Sequence, residues 1–317
     1  MIGWQVYLPD SLGAPKVDVV LATNRCSVFL VAALASVRAQ TYTKWHLTLV
    51  DDGVPDANFL SKALVGTGPS TLVRQTHGGV SRARNHGFNT GTAPLVCFLD
   101  DDDTWKPQRL SILVELLVKN PEAVGAFSGG EYIDESGTPW GQAWPGERAS
   151  SLEMLAGEKL LPRLPTLLFR RDAIQSVGGF DEALRVAEDN DLILRILQLG
   201  QLVGIDVPLV DYRRYGGNTS AAGTLEARVI SRTILLRQAA TAEEDDRPNH
   251  AVALRANLTR LKRHWAVESM RAFRSAVQEL QFTAAAREIR WSASVHPVAS
   301  LRRLCCLALR SLRAWRT

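Results

Sequence analysis

Short apolar runs alternate with amphipathic stretches through the first hundred residues. Residues 17–22 read as a first strand, 28–39 as a helix, 46–50 and 71–74 as second and third strands, 81–89 as a helix and 94–99 as a fourth strand. Strand runs of this kind, separated by helical patterns, predict a parallel sheet flanked by helices. The pattern continues with a helix over 107–119, shorter strands near 124–127 and 131–133, a strand over 166–169 and a helix over 189–199. Between them, residues 137–146 are rich in Gly, Pro and Trp; an acceptor-side lid and a structural turn with buried tryptophans fit this loop equally. From Leu225 onward the pattern is helical and rich in Arg, broken by a polar linker over 243–249. The expected organisation is therefore an α/β domain over 1–224 and a helical, basic extension over 225–317, without internal repeats.

Each early strand ends in polar residues: Thr23-Asn24-Arg25, then Asp51-Asp52-Gly53, then the four carboxylates Asp100 to Asp103. The carboxyl ends of strands in an open α/β sheet form the crevice in which ligands bind, so these groups are aimed at one site. Four adjacent carboxylates repel one another, and without a cation some resist ionising. A divalent ion is the economical partner, and hard oxygen donors with no nearby His or Cys favour magnesium or manganese over zinc. A solvated acidic turn ahead of the helix near Lys106-Pro107 is the bland alternative. Two more groups stand out. The run from Gly78 to Asn85 sets a flexible turn, Ser81 and the arginines Arg82 and Arg84 at a helix start, which suits an anionic or polar ligand. Glu188-Asp189-Asn190-Asp191 opens an apolar helix, where acids serve either as ordinary caps or as a general base.

Length and charge narrow the class. A chain of 317 residues with 46% hydrophobic residues can bury a large core. The net charge of +4 conceals an asymmetry: residues 1–224 carry 20 basic and 25 acidic side chains, residues 225–317 carry 17 and 8. Cys26, Cys97, Cys305 and Cys306 show no CxxC pairing, which predicts reduced thiols and a cytoplasmic protein. Residues 1–9 lack the basic start and apolar stretch of a secretory signal, and no run reaches the roughly 18 apolar residues of a membrane span.

The motifs follow one another in a specific order: Thr23-Asn24-Arg25; Gln40-Thr41-Tyr42; Val50-Asp51-Asp52-Gly53; Gly79-Val80-Ser81-Arg82-Ala83-Arg84-Asn85; Phe98-Leu99 with Asp100 to Asp103, Thr104 and Trp105; Phe169-Arg170-Arg171; Gly178-Gly179-Phe180-Asp181; Glu188-Asp189-Asn190-Asp191; and Tyr212-Arg213-Arg214. This succession resembles the inverting family 2 glycosyltransferases with the GT-A fold, over roughly residues 16–220. The resemblance implies a Rossmann-like mixed sheet flanked by helices, followed here by an α-helical extension. It implies a nucleotide-diphosphate-sugar donor, uridine-linked, with Mn2+ or Mg2+ and a hydroxyl acceptor on a glycan, glycolipid or small molecule.

By position, the resemblance puts Thr23, Asn24 and Arg25 at the nucleotide crevice, Asp51 or Asp52 on uracil or ribose, and Arg84 on the base side. Asp102 is the implied metal ligand, with Asp100 and Asp101 on ribose or a metal-bound water. Asp103 and Trp105 shape the sugar pocket, Glu188 adds a substrate contact and Asp189 is the catalytic base. Two positions depart from the family pattern. No Tyr precedes Asn24, and Tyr215 stands where many members carry a metal-binding His.

Residues 300–317 hold five arginines and no acid among leucines, cysteines and Trp315. Such a helix either lies on the anionic inner face of the plasma membrane, near a lipid-linked acceptor, or packs its Leu face on the catalytic domain or a second subunit in a homo-oligomer. No nucleic-acid module is recognisable. The competing class is a non-catalytic nucleotide-sugar-binding scaffold; both the DxD acids and Asp189 argue against it. A nucleotidyltransferase would carry a Gly-rich, basic loop after the first strand, which residues 23–28 do not provide.

Overall fold

The computed structural model describes residues 13–216, 224–279 and 281–295. Four parallel strands form its first half: β1 (Val17–Thr23), β2 (Trp45–Asp52), β3 (Ser70–Gln75) and β4 (Leu95–Asp100), ordered β3-β2-β1-β4. The helices α1 (Val28–Arg38), α2 (Ala57–Ala63) and α3 (Val80–Thr90) make the crossovers. Val19, Leu21, Leu47, Leu49, Cys97 and Leu99 are fully or almost fully buried, as expected of strands covered on both faces. The Ser27 hydroxyl caps α1 by accepting from the Phe29 N–H at 3.1 Å. The chain winds outward from β1 to β3 and then returns to lay β4 on the other side of β1. That reversal opens a crevice where Thr23, Asp51 and Asp100 leave the sheet, in a register that pairs Thr23 with Asp51 and Ala22 with Asp100.

The second half completes an eight-stranded mixed sheet. In chain order come β5 (Thr104–Trp105), α4 (Arg109–Lys119), β6 (Gly125–Ile133), α5 (Ser151–Leu155), a single 3-10 turn, β7 (Leu167–Arg170), α6 (Arg171–Ser176), α7 (Glu188–Leu197) and β8 (Leu202–Arg213). The sheet runs on from β4 as β7-β6-β8-β5; β7 is antiparallel to β4 and β6, whereas β8 is parallel to β6. One continuous β6 replaces the two short strands expected at 124–127 and 131–133. The twelve-residue β8 went unforeseen because Gly204 and Pro208 interrupt its apolar run. It accommodates them by slipping register against Ser128 and Gly129.

A buried ion pair ties β1 to the second half. Arg171 donates to Asp18 Oδ2 at 2.6 Å and to the carbonyls of Ala93 and Phe88 at 2.6 and 2.8 Å. The Ala93 N–H donates to the same carboxylate at 2.8 Å. Removing one partner of a buried, hydrogen-bonded pair strands the other charge, at about 3–5 kcal/mol. Arg171→Ala is therefore expected to lower stability by about that amount in denaturant melts monitored by circular dichroism. A midpoint within error of wild type would exclude this role.

The described residues fall into two compact units, one within Met1–Met154 and Lys159–Thr219, the other within Leu155–Glu158 and Ser220–Thr317. The second unit consists mainly of α8 (Leu225–Glu244), α9 (Pro248–Gln278) and α10 (Phe282–Val295), with α8 and α10 both packed on α9. Inside it the buried Arg228 guanidinium bonds Glu288 at 2.9 Å and Ser269 at 2.6 Å. No helix among the described residues is long and apolar enough to cross a membrane. The basic segment over 300–317, with Cys305 and Cys306, lies outside the described residues, as do residues 217–220; Cys26 and Cys97 are free thiols.

Candidate active site

The four carboxylates after β4 point to different partners. Asp100 Oδ1 accepts from Arg84 at 2.6 Å. Asp101 receives a two-pronged contact from Arg25, at 2.5 and 3.1 Å, and the Thr23 hydroxyl at 2.6 Å. Asp102 Oδ2 accepts from Arg25 at 3.1 Å and from the Tyr215 hydroxyl at 3.3 Å. Asp103 turns inward and is only 1% exposed; its Oδ1 accepts the Arg213 N–H at 2.8 Å, and its Oδ2 is buried with no hydrogen bond.

Two guanidinium groups thus supply positive charge to the quartet, yet the repulsion is not fully relieved. Burial, reinforced by Asp100 and Asp101, raises the Asp102 carboxyl above its ordinary range despite Arg25. Burial also pushes Asp103 well up. Arg25, hydrogen-bonded to Asp101, is held more firmly protonated than a free guanidinium.

The Arg84 side chain joins the quartet to the start of α7. It reaches from α3 to Asp100 with one nitrogen and to Glu188 Oε1 with the other, at 2.8 Å, while its guanidinium carbon lies 5.4 Å from the Phe180 ring centroid. Burial weakens this cation, but Asp100 and Glu188 outweigh the cost and raise its pKa. Phe180 is fixed from the other side by Asn85, which donates to its carbonyl at 2.9 Å and accepts its N–H at 2.8 Å.

Just ahead of α7, Ala187 adopts φ 59°, a left-handed conformation that a side chain with a Cβ normally avoids. The kink precedes Glu188 and Asp189 in the first turn of the helix and sets Glu188 against Arg84. Asp189, partly exposed, titrates near 6: burial and then the Glu188 charge raise it, and Arg84 and the Asn190 N–H at 2.7 Å oppose them. Asp100 adds a further, smaller upward push. Asp191 belongs elsewhere, fully buried against Arg195 at 2.8 Å.

Several of the residues expected at the site lie deep in the fold. Trp105 is 3% exposed, donates its indole N–H to the Pro165 carbonyl at 3.1 Å and lies 3.9 Å from the Arg109 guanidinium. With Asp103 it lies in the interior, behind the crevice surface. Asp51 uses Oδ1 to accept the N–H groups of Gly53 and Val54. Asp52 accepts from Gln75 and from the N–H groups of Gly78 and Gly79, holding the turn into α3. Both carboxylates hold turns in this structure and are almost fully buried, and Arg74 lies 3.4 Å from Asp51 Oδ2. Asn24 is exposed at the crevice edge beside the partly exposed Arg25.

Arg213 and Tyr215, which the sequence shows in the closing motif without a contact of their own, join the site in the structure. Arg213 donates to the main-chain oxygen of Asp102 at 2.9 Å, and Tyr215 bridges Arg25 and Asp102. The signal was the Tyr-Arg-Arg-Tyr run itself, which follows an unforeseen strand. Among the described residues no three His, Cys, Asp or Glu side chains form a ready-made metal cage. One carboxylate at a crevice edge, Asp102, does suit a hard divalent ion that takes its other oxygens from substrate phosphates.

Comparison with known proteins adds independent observations. The profile of the family described as Glycosyl transferase family 2 matches residues 18–178. An uncharacterized glycosyltransferase of Nostoc sp. is 27% identical, over 68% of this chain and 71% of that protein. The amylovoran biosynthesis glycosyltransferase AmsB of Erwinia amylovora is 27% identical over 62% and 68%. The chain spans 57% of a Haemophilus influenzae relative, so some relatives extend well beyond the match. The crystal structure of S. aureus TarS 1-349 in complex with UDP-GlcNAc superposes with a TM-score of 0.68 at 16% identity, covering 90% of this chain and 82% of that one. That likeness shows a shared GT-A-type fold.

Proposed function

Because this chain belongs to glycosyl transferase family 2 and is a glycosyltransferase, we propose that it moves a sugar, with inversion, from a uridine-diphosphate donor to a hydroxyl acceptor. The observation that carries this reading is Arg84, which physically links the carboxylates after β4 to the acids that open α7. One crevice then holds both halves of the chemistry. Thr23, Asn24 and Arg25 line the donor edge, where the Arg25 guanidinium can exchange a carboxylate for diphosphate oxygens.

Asp189 acts from the start of α7 as the base. As the acceptor oxygen forms its bond to the anomeric carbon, Asp189 takes the hydroxyl proton, and the bond from that carbon to the diphosphate oxygen breaks with its electron pair. A carboxylate titrating near 6 is ionised at neutral pH yet basic enough to share that proton. A magnesium or manganese ion held by Asp102 would supply positive charge against the departing diphosphate.

Titration calorimetry with UDP and UDP-sugars tests the donor half. Manganese is expected to tighten binding in the wild-type chain, and Asp102→Ala is expected to remove that gain, about tenfold or more in Kd. Equal affinities with and without manganese would refute the metal assignment. A chain that binds donor but neither hydrolyses nor transfers it would be a scaffold instead.

A further inference from the structure

The end of β8 has two sides. Arg213 and Tyr215 turn toward Asp102, whereas Tyr212 and Arg214 take the alternate side and meet Tyr132 at the end of β6. The segment after β6 folds back onto it: the Trp140 N–H donates to the Tyr132 carbonyl at 3.0 Å, and Trp144 and Gly130 exchange both main-chain hydrogen bonds. Asp134 pins the turn by accepting from the N–H groups of Ser136 and Thr138, and Gly137 takes φ 88°. A Cβ on Gly130 would collide with the Trp144 ring, so the bare backbone is what lets that ring lie flat there.

The result is a cluster of four rings. Tyr132 lies 5.4 Å from Trp140, 4.8 Å from Trp144 and 6.2 Å from Tyr212, and Trp144 lies 6.1 Å from Tyr212. The Arg163 guanidinium sits over Tyr132, Trp144 and Tyr212 at 5.4, 5.0 and 4.8 Å, and it donates to the Tyr132 hydroxyl at 2.6 Å. Arg214 lies over Tyr132 and Tyr212 at 5.6 and 5.7 Å. Trp140 is half exposed, and Tyr132, Trp144 and Tyr212 are partly exposed. Among the described residues neither guanidinium is salt-bridged to a carboxylate: Arg163 meets three rings and the Tyr132 hydroxyl, and Arg214 meets two rings.

A purely packing role would bury these rings; here Trp140 is half open to water and the other three are partly open. Flat aromatic faces receive the C–H face of a pyranose, and a guanidinium stacked on a ring keeps its planar fork for a carboxylate or phosphate. We propose that Tyr132, Trp140, Trp144, Tyr212, Arg163 and Arg214 form the acceptor subsite, and that it takes a sugar ring bearing an anionic group. The proposal rests on the transferase reading and specifies its substrate class. Arg213 links the cluster to the reaction crevice: it donates to the main-chain oxygen of Asp102 at 2.9 Å and to the carbonyls of Asp134 and Glu135, in the turn that leads to Trp140, at 2.9 and 3.0 Å.

Ligand-observed NMR on the full chain tests this with three probe sets: hexuronate-containing, phosphorylated and neutral oligosaccharides. The wild type is expected to bind at least one anionic set better than the neutral set; the two anionic arms distinguish carboxylate from phosphate. Trp140→Ala, on a half-exposed ring, and Arg214→Gln are each expected to weaken that binding about tenfold, with UDP affinity unchanged. No binding of either anionic set, equal binding of neutral sugars, or variants that bind like wild type would each overturn the proposal. Loss of UDP binding by the wild type would instead refute the transferase reading, whatever the oligosaccharides do.

Discussion

Asp189→Asn is expected to lower kcat by about 10³-fold while leaving UDP-sugar affinity near wild type. The amide keeps the size of the carboxyl, and its oxygen can still accept the Asn190 N–H, so the first turn of α7 is preserved. What it loses is the ability to take a proton. Single-turnover transfer separates this loss from product release, and calorimetry reports the donor affinity. The pH profile carries the same argument. Asp189 must be ionised to act, so kcat/KM is expected to fall about tenfold per pH unit below 6 and to level off above it. Because folding raises this carboxyl, the native state holds its proton more tightly than the unfolded chain. Stability therefore declines as pH rises from the ordinary carboxylate range through about 6, which is the cost of keeping a base ready. Turnover by Asp189→Asn close to wild type, or a flat profile between pH 5 and 7, would take the base role from this residue.

The parts of this molecule that could be read from its residues are those governed by local pattern. The strands β1, β2 and β4 announce themselves as unbroken apolar runs because both of their faces are covered, and their polar ends must then share an edge. The acids after β4 were legible for that reason. Their partners were not, since Arg84 meets Glu188 across 104 positions and Arg25 meets Tyr215 across 190. Burial within the quartet was equally hidden: Asp100 and Asp103 look alike in sequence, yet only Asp103 turns under the backbone of β8. That strand escaped notice because its Gly and Pro imitate a loop, and with it went the contacts of Arg213 and Tyr215 and one wall of the aromatic cluster. The left-handed turn at Ala187 leaves no trace either, because alanine is not a residue that advertises positive φ.

Arg84→Met is expected to be the most disruptive single change in the crevice. Methionine roughly keeps the apolar stem of a side chain that is 7% exposed, but it removes the charge facing Asp100 and Glu188 and acting on Asp189. Those carboxylates then face one another in a poorly solvated space, at about 3–5 kcal/mol at neutral pH. The sign of the pH dependence follows from linkage. Without Arg84 the native carboxylates hold protons more tightly than their unfolded counterparts, so the deficit shrinks as pH falls toward 5 and the acids neutralise. The same loss moves the Asp189 titration above 6, carrying the acid limb of kcat/KM upward with it. Denaturant melts at pH 5 and pH 8 measure the first effect, and transfer rates the second. Adding Glu188→Gln to Arg84→Met removes one of the repelling charges and should restore part of the stability at pH 8, an outcome that simple loss of side-chain packing would not produce. If the double variant is no more stable than Arg84→Met and the deficit is the same at both pH values, electrostatic bridging is not what Arg84 does.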